Sequence, residues 1–285
     1  MILLNILRVL PPRVICSCLF VISMLASACN SEFRKVQKSG DWKLMYDAAM
    51  KYYQEEDYYR ANLLFEEILP VIKGRPEAEQ VQFYYAYSYY YQQKHILSAH
   101  YFQSFYETYS RSEYAEEAMF MNAYSLYQES PVPNLDQQST REAIDAMQRF
   151  MNRYPYSEHI DRAQQIINEL QLKLETKAFD NAKLYLDLEN YKAAIVAFEN
   201  FQNDYPDSDL NEENSFLMVK AQYALANQSI RSLQKERFYS TVKYYESFID
   251  KYPKSKFIKE AEDIYQRSLE AIQKSATSKN TLNTH

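Results

Sequence analysis

Apolar residues recur along most of this chain at the i, i+4, i+7, i+11 spacing that places side chains on one face of an α-helix. The spacing is clearest in Ser98–Phe102–Phe105–Tyr109, Ala143–Met147–Phe150–Tyr154, Ala194–Phe198–Phe201–Tyr205 and Thr241–Tyr245–Phe248–Tyr252. A weaker copy, Tyr58 with Ala61–Phe65–Ile68–Ile72, fits the same frame. The first residue of each copy is small, as close helix–helix approach requires. After the tyrosine come Ser110-x-Ser112, Pro155-x-Ser157, Pro206-x-Ser208 and Pro253-x-Ser255. The residue before a proline avoids the α region, so the helix stops there. The serine that follows can cap the next helix by accepting a backbone N–H. Repetition of helix, stop and start at this scale predicts a solenoid of helix pairs.

Read in order, residues 41–73 predict a first helix pair, split near Glu56-Asp57. Trp42, Met45, Ala48, Ala49 and Tyr52 mark the apolar face of its first helix, and Gly74 and Pro76 make the next turn. The remaining repeats span about 76–111, 112–156, 157–207 and 208–254, with a closing helix over 256–274 and a polar, disordered tail over 275–285. A proline-rich insertion, Ser130 to Asp136, interrupts the third repeat. Residues 158–188 hold no Pro or Gly and fit either one long helix or two. Successive copies of the terminal apolar residue (Ile68, Phe105, Phe150, Phe201, Phe248) lie farther apart than the roughly 34 residues of a minimal tetratricopeptide repeat. The expected fold is therefore all-α: a right-handed superhelix of about five long tetratricopeptide-like helix pairs with a concave inner surface.

Composition narrows the chemistry. Two glycines in 285 residues leave no room for a phosphate-binding glycine loop. A formal charge of −6 without a basic stripe argues against nucleic acid as a partner. All three cysteines, Cys16, Cys18 and Cys29, lie near the amino terminus, so the body has neither a disulfide framework nor a thiol nucleophile. His95 and His100 are five apart rather than the four that would aim two ligands from one helical face, so no metal site and no cofactor is expected. No Gly-x-Ser-x-Gly and no carboxylate pair in a distinctive context is present, and the chain reads as a non-enzyme.

Residues 1–28 read as an export signal. Arg8 and Arg13 precede an uncharged run from Val14 to Ala28, which is short for a membrane span. The run ends Leu25-Ala26-Ser27-Ala28-Cys29. Small residues directly before a cysteine resemble a bacterial lipobox. That resemblance implies cleavage before Cys29 and its acylation, with Asn30 in the position that favours the outer membrane. The alternative is an ordinary signal peptide beside a chance cysteine. Residues 29–40 read as a polar tether. Loss of Arg8 and Arg13 takes the formal charge from −6 to −8, so lipids rather than general charge attraction would hold the mature chain.

Tyrosine is the compositional anomaly, with 28 residues, six of them between Phe83 and Tyr91. Successive residues on a helix lie 100° apart, so these cannot all enter one core. Aligning Ala86-Tyr87-Ser88 with Ala123-Tyr124-Ser125 sets a common register. In it, Phe83, Tyr87, Tyr90, Phe120, Tyr124 and Tyr127 face the inner groove, joined by Tyr52. Tyrosine combines apolar area with a polar rim at little entropic cost, which suits peptide binding. The competing reading is that these rings pack adjacent repeats together.

Lipobox, long repeats ending Phe-x3-Tyr-Pro-x-Ser, and an insertion inside the third repeat together resemble the BamD family, the outer-membrane lipoproteins of the BAM complex. The most specific stretch runs from Ser130-Pro131 through Leu135-Asp136-Gln137, Ala143-Ile144 and Gln148-Arg149-Phe150 to Tyr154-Pro155-Tyr156-Ser157. The resemblance implies a periplasm-facing scaffold for outer-membrane protein assembly. Its C-terminal repeats would hold a BamA-like β-barrel protein, and its N-terminal repeats would receive unfolded outer-membrane protein precursors. The tyrosine-rich second repeat and the polar tail depart from the family. Two other readings stay open: a periplasmic repeat adaptor for envelope or cell-division coordination, and a glycan-binding outer-membrane lipoprotein. The first usually has an N-terminal coiled coil, absent here. The second leans on tryptophan, of which this chain has Trp42 alone.

Overall fold

The repeated helical pattern folds as helices throughout. A computed structural model describes residues 32–282 of the 285-residue chain, with side chains through residue 275. The export signal, Cys29 and residues 283–285 lie outside the described residues. Within them the elements are α1 (32–37), α2 (Trp42–Gln54), α3 (Tyr58–Ile72), α4 (Glu77–Tyr91), α5 (His95–Thr108) and α6 (Ala115–Gln128). Then follow α7 (Gln138–Arg153), α8 (Ile160–Asp187), α9 (Tyr191–Asp204), α10 (Asn211–Asn227), α11 (Arg231–Lys251) and α12 (Ile258–Leu282). No strand occurs among the described residues. Residues 158–188 resolve to one helix, α8. The tail expected to be disordered from residue 275 instead continues α12 to Leu282, because nothing in Ser275–Leu282 breaks a helix.

The chain divides into two compact units. One takes the described residues through Ser130 together with Gln138–Ile167. The other takes Pro131–Gln137 and everything from Asn168 on. In the first, Met45, Ala49, Ala61, Leu64, Phe65, Ile68, Ile72, Val81 and Tyr85 form one continuous core. In the second, Phe179, Ala194, Phe198, Phe201 and Met218 form one cluster, and Phe216, Val219, Phe248 and Ala261 another.

The repeated positions do what their spacing predicts. Ala61, Ser98, Ala143, Ala194 and Thr241 are all fully buried, as are Phe102, Met147 and Phe198. Tyr245 is the exception. It is half-buried, stacked on Tyr265 at 4.5 Å. The tyrosine N–H of each motif bonds back to the phenylalanine carbonyl, at 2.8 Å for Tyr109, 2.9 Å for Tyr154 and Tyr205, and 2.8 Å for Tyr252. Each serine Oγ then accepts the N–H two residues on: Tyr114, His159, Leu210 and Phe257, at 3.0–3.2 Å. Three of these hydroxyls also donate to a glutamate early in the first helix of the preceding pair, or midway along α8: Ser112 to Glu79, Ser208 to Glu175, and Ser255 to Glu212 at 2.6 Å. The serine is thus a cap and a clamp between pairs at once.

The residues two past the serine complete the joint. Tyr114 stacks on Phe83 at 4.6 Å, His159 on Phe120 at 4.3 Å and Phe257 on Phe216 at 4.5 Å. This corrects the expectation for two residues. Phe83 and Phe120, placed in the groove by register alone, are 4% and 7% exposed and belong to the packing between pairs.

The turns between helices show how the chain manages with little glycine. Both glycines, Gly40 and Gly74, take positive φ at α1–α2 and α3–α4. Glu56, Gln93 and Glu189 adopt the same left-handed conformation at the ends of α2, α4 and α8. At α4, Lys94 N–H bonds to the Tyr89 carbonyl at 3.0 Å and Gln93 N–H to that of Tyr90 at 2.9 Å, a Schellman closure. A side chain in this conformation costs about 1–2 kcal/mol, offset in part by the entropy glycine loses on folding. Gln93→Gly is therefore expected to stabilise the first unit by roughly 0.5–1 kcal/mol, read as a higher denaturant midpoint at unchanged m-value.

The amino-terminal stretch departs from expectation. Residues 29–40 are not a tether throughout: α1 docks on the first pair. Phe33 is 6% exposed, packs against Tyr52 at 5.8 Å and lies under the Arg60 guanidinium at 5.9 Å. Gln37 donates to Glu67 on α3. Phe33 and Val36, three apart, supply an apolar edge too short to stand out in a polar stretch.

Candidate functional site

On α4 the residues Gln80, Tyr84, Tyr87 and Tyr91 follow the same i, i+4, i+7, i+11 spacing, so three tyrosines share a face. On α2 the corresponding positions are Tyr46 and Tyr53, and on α6 they are Glu117 and Tyr124. Neighbouring helices of the first unit bring these together. Tyr46 donates to Gln80 at 2.6 Å. Tyr53 meets Tyr84 at 4.7 Å, Tyr58 at 5.4 Å and Tyr91 at 6.3 Å. Tyr91 stacks on Tyr58 at 4.6 Å and on Tyr87 at 5.7 Å. Tyr87 donates to Glu117. Tyr90 reaches Tyr124 at 6.2 Å, and Tyr124 reaches Tyr127 at 5.7 Å. The Arg162 guanidinium covers Tyr127 at 5.9 Å. The result is one connected sheet of rings across α2, α4 and α6.

Most of these rings are half-buried, and Tyr91 is 47% exposed. Their inner edges pack, while their outer edges remain open. Burial raises the hydroxyls of Tyr53, Tyr87 and Tyr90 above the ordinary phenol range. At Tyr87 the bond to Glu117 raises it further, and at Tyr53 the neighbouring phenols do. These phenols stay protonated and keep their donor capacity throughout the physiological range. Such a face can hold apolar or aromatic side chains on its rings and backbone carbonyls on its hydroxyls.

Of the residues expected in the groove, Tyr87, Tyr90, Tyr124 and Tyr127 lie in this lattice. Phe83 and Phe120 lie beneath it. Tyr52 sits elsewhere, between Phe33 and the Arg60 guanidinium at 5.6 Å. Its neighbour Tyr53 holds the lattice position. Sequence reasoning missed Tyr46, Tyr53, Tyr84 and Tyr91. The 80/84/87/91 spacing carried the signal for two of them, masked by tyrosines on every side of α4.

Among the described residues, no group of three His, Cys, Asp or Glu side chains is placed to hold a metal ion. No described helix is long and apolar enough to cross a membrane. Comparison with curated proteins finds no match. The family model described as outer membrane lipoprotein, YfiO, matches residues 39–237, more than half of the chain. That span covers every ring of the lattice and reaches into both units, so the chain belongs to the YfiO family of outer membrane lipoproteins.

Proposed function

We propose that this protein is a lipid-anchored, periplasm-facing scaffold of outer-membrane β-barrel assembly, acylated at Cys29. Its first unit receives unfolded barrel precursors, and its second holds a BamA-like barrel subunit. The observation that carries the first assignment is the tyrosine lattice. It is broad, half-open and pre-organised by its own ring contacts, so an extended segment rich in aromatic residues could bind with little ordering of the protein. Membership of an outer membrane lipoprotein family supports the setting, and resemblance to BamD supports the division of labour.

For the second assignment, unit 2 offers exposed apolar side chains at adjoining turns. Leu184 lies in the last turn of α8 and Leu188 just past it, and Ile230 precedes α11. The Gln228 amide bonds to the Glu189 carboxylate at 3.4 Å, bringing these turns together. Exposed apolar side chains gathered at one place suit contact with a partner.

Both interactions are to be measured on two variants whose helicity matches wild type. Tyr84→Ala with Tyr91→Ala is expected to weaken binding of a peptide from the carboxyl end of a barrel precursor at least about tenfold, or 1.4 kcal/mol, with co-purification of the barrel subunit intact. Leu188→Glu with Ile230→Glu is expected to do the reverse. If each variant loses the other partner instead, the two units are assigned the wrong way round. If either variant loses both partners, or neither, the division is wrong.

A further inference from the structure

The docking of α1 changes how the anchor can act. Only two residues, Asn30 and Ser31, separate Cys29 from the first described residue of α1, three Cα–Cα steps with a reach of about 11 Å at full extension. The helix that starts there is fixed by Phe33 and presents Glu32, Arg34, Lys35 and Lys38 outward. Three of those four are cationic. Just past the α1–α2 turn stands Trp42, half-buried, with the Arg75 guanidinium at 4.8 Å and the Lys43 ammonium at 5.7 Å from its ring. Asp41, which caps α2 by accepting from Lys43 N–H at 2.9 Å, Glu67, which accepts from Gln37, and the exposed Asp47 also lie on this side, so the cationic excess is that of α1 itself. Against Arg34, Lys35 and Lys38, the α1 stretch carries Glu32 alone as a carboxylate. This local excess of positive charge stands on a chain that is acidic overall.

We propose that the outer face of α1 and the adjoining Trp42 corner rest on the leaflet that carries the lipid anchor, with Arg34, Lys35, Lys38, Lys43 and Arg75 on lipid phosphates and Trp42 at the headgroup level. This rests on acylation of Cys29. The short span keeps α1 within reach of the headgroups, and cations with a tryptophan are the side chains suited to that layer. The acyl chains hold the protein, and the patch sets which side of the first unit faces the membrane.

Trp42 is the sole tryptophan, so its fluorescence reports on this corner alone. The test uses the full lipidated chain in vesicles of phosphatidylethanolamine and phosphatidylglycerol that carry a small fraction of nitroxide-headgroup lipid. Trp42 is expected to be quenched. Arg34→Glu with Lys35→Glu and Lys38→Glu, matched to wild type by circular dichroism, is expected to float with the vesicles but lose most of the quenching. High salt is expected to lower the quenching without releasing the protein. If wild type floats and Trp42 is unquenched, or the triple variant is quenched equally, the proposal fails while the anchor stands. If Trp42 is shielded only when another protein is added, the surface belongs to that protein and the proposal fails. If wild type and Cys29→Ser both fail to float, acylation of Cys29 is wrong and this inference falls with it.

Discussion

Phe198→Ala is expected to lower the stability of the second unit by about 3–5 kcal/mol, enough to consume much of a typical domain's margin. The ring is fully buried in a cluster with Phe179, at 6.4 Å, Phe201, Met218 and Ala221. Its backbone carbonyl is held separately by the Asn214 amide at 3.1 Å, so truncation removes packing and leaves the helix hydrogen bonds in place. The opposite change nearby should also destabilise. Ala194→Phe would force a ring into a position with no exposed surface, costing about 1–3 kcal/mol. The two sites sit one helical turn apart, so their double variant should not show the sum. Tyr156→Ala, at a ring 99% exposed, serves as the control and should leave the denaturation midpoint unchanged. Wild-type midpoints for both core variants would mean that the repeat register is wrong.

That register was legible because it rests on residues that occur five times in nearly the same frame. Ala61, Ser98, Ala143, Ala194 and Thr241 are buried for one shared reason, the closeness of paired helices, and the pattern of small residues reports it. The joints between pairs were less legible. The serine clamp needs a glutamate more than thirty residues earlier: Glu79 for Ser112, Glu175 for Ser208 and Glu212 for Ser255. No local spacing announces a partner at that distance. The residue two past the serine could have been read as part of the motif, but it varies as Tyr114, His159, Leu210 and Phe257, and only the stacking of the three rings shows the role they share.

The candidate site was half legible for a related reason. Register places a residue by angle around one helix, and it cannot tell a groove from the seam between neighbouring pairs when the two lie side by side. Phe83 and Tyr87 are four apart and in ring contact at 5.0 Å, yet one is sealed under Tyr114 and the other reaches Glu117. Choosing Tyr52 over Tyr53 was the same error by one residue. The apolar pattern of α2 is continuous there, and α1, which takes up Tyr52, was not foreseen.

Alkaline conditions are expected to unfold this protein far below the pH at which a helical chain without buried phenols would fail, and to act on the first unit more strongly than the second. Tyr85 is 3% exposed, its hydroxyl 3.0 Å from that of Tyr89, with the Tyr101 ring edge-on to it at 4.7 Å. Burial raises its ionisation well above the ordinary value of 10.0, and the bonds to Tyr89 and Tyr101 add to the effect. Tyr53 and Tyr87 are raised by burial in the same way. In the second unit, Tyr244 is held by burial and by its bond to Glu199 at 2.5 Å. In every case the folded value lies above the unfolded one. The stability these phenols contribute is therefore complete below about pH 10 and is lost as pH rises towards their folded values, because the unfolded chain releases those protons first. Each phenol held protonated removes about 1.4 kcal/mol per pH unit above that point. Tyr53 and Tyr87 are partly open to solvent, which discounts their share, so about 2–3 kcal/mol per unit is expected for the first unit. Denaturant midpoints measured between about pH 9 and pH 11 should fall, with the buried phenols' share of the tyrosinate absorbance appearing only as helicity is lost. Tyr85→Phe removes a titrating group while keeping the ring, and should flatten the decline. A midpoint constant across that range, or an equal slope in the variant, would show that these hydroxyls ionise freely in the folded protein.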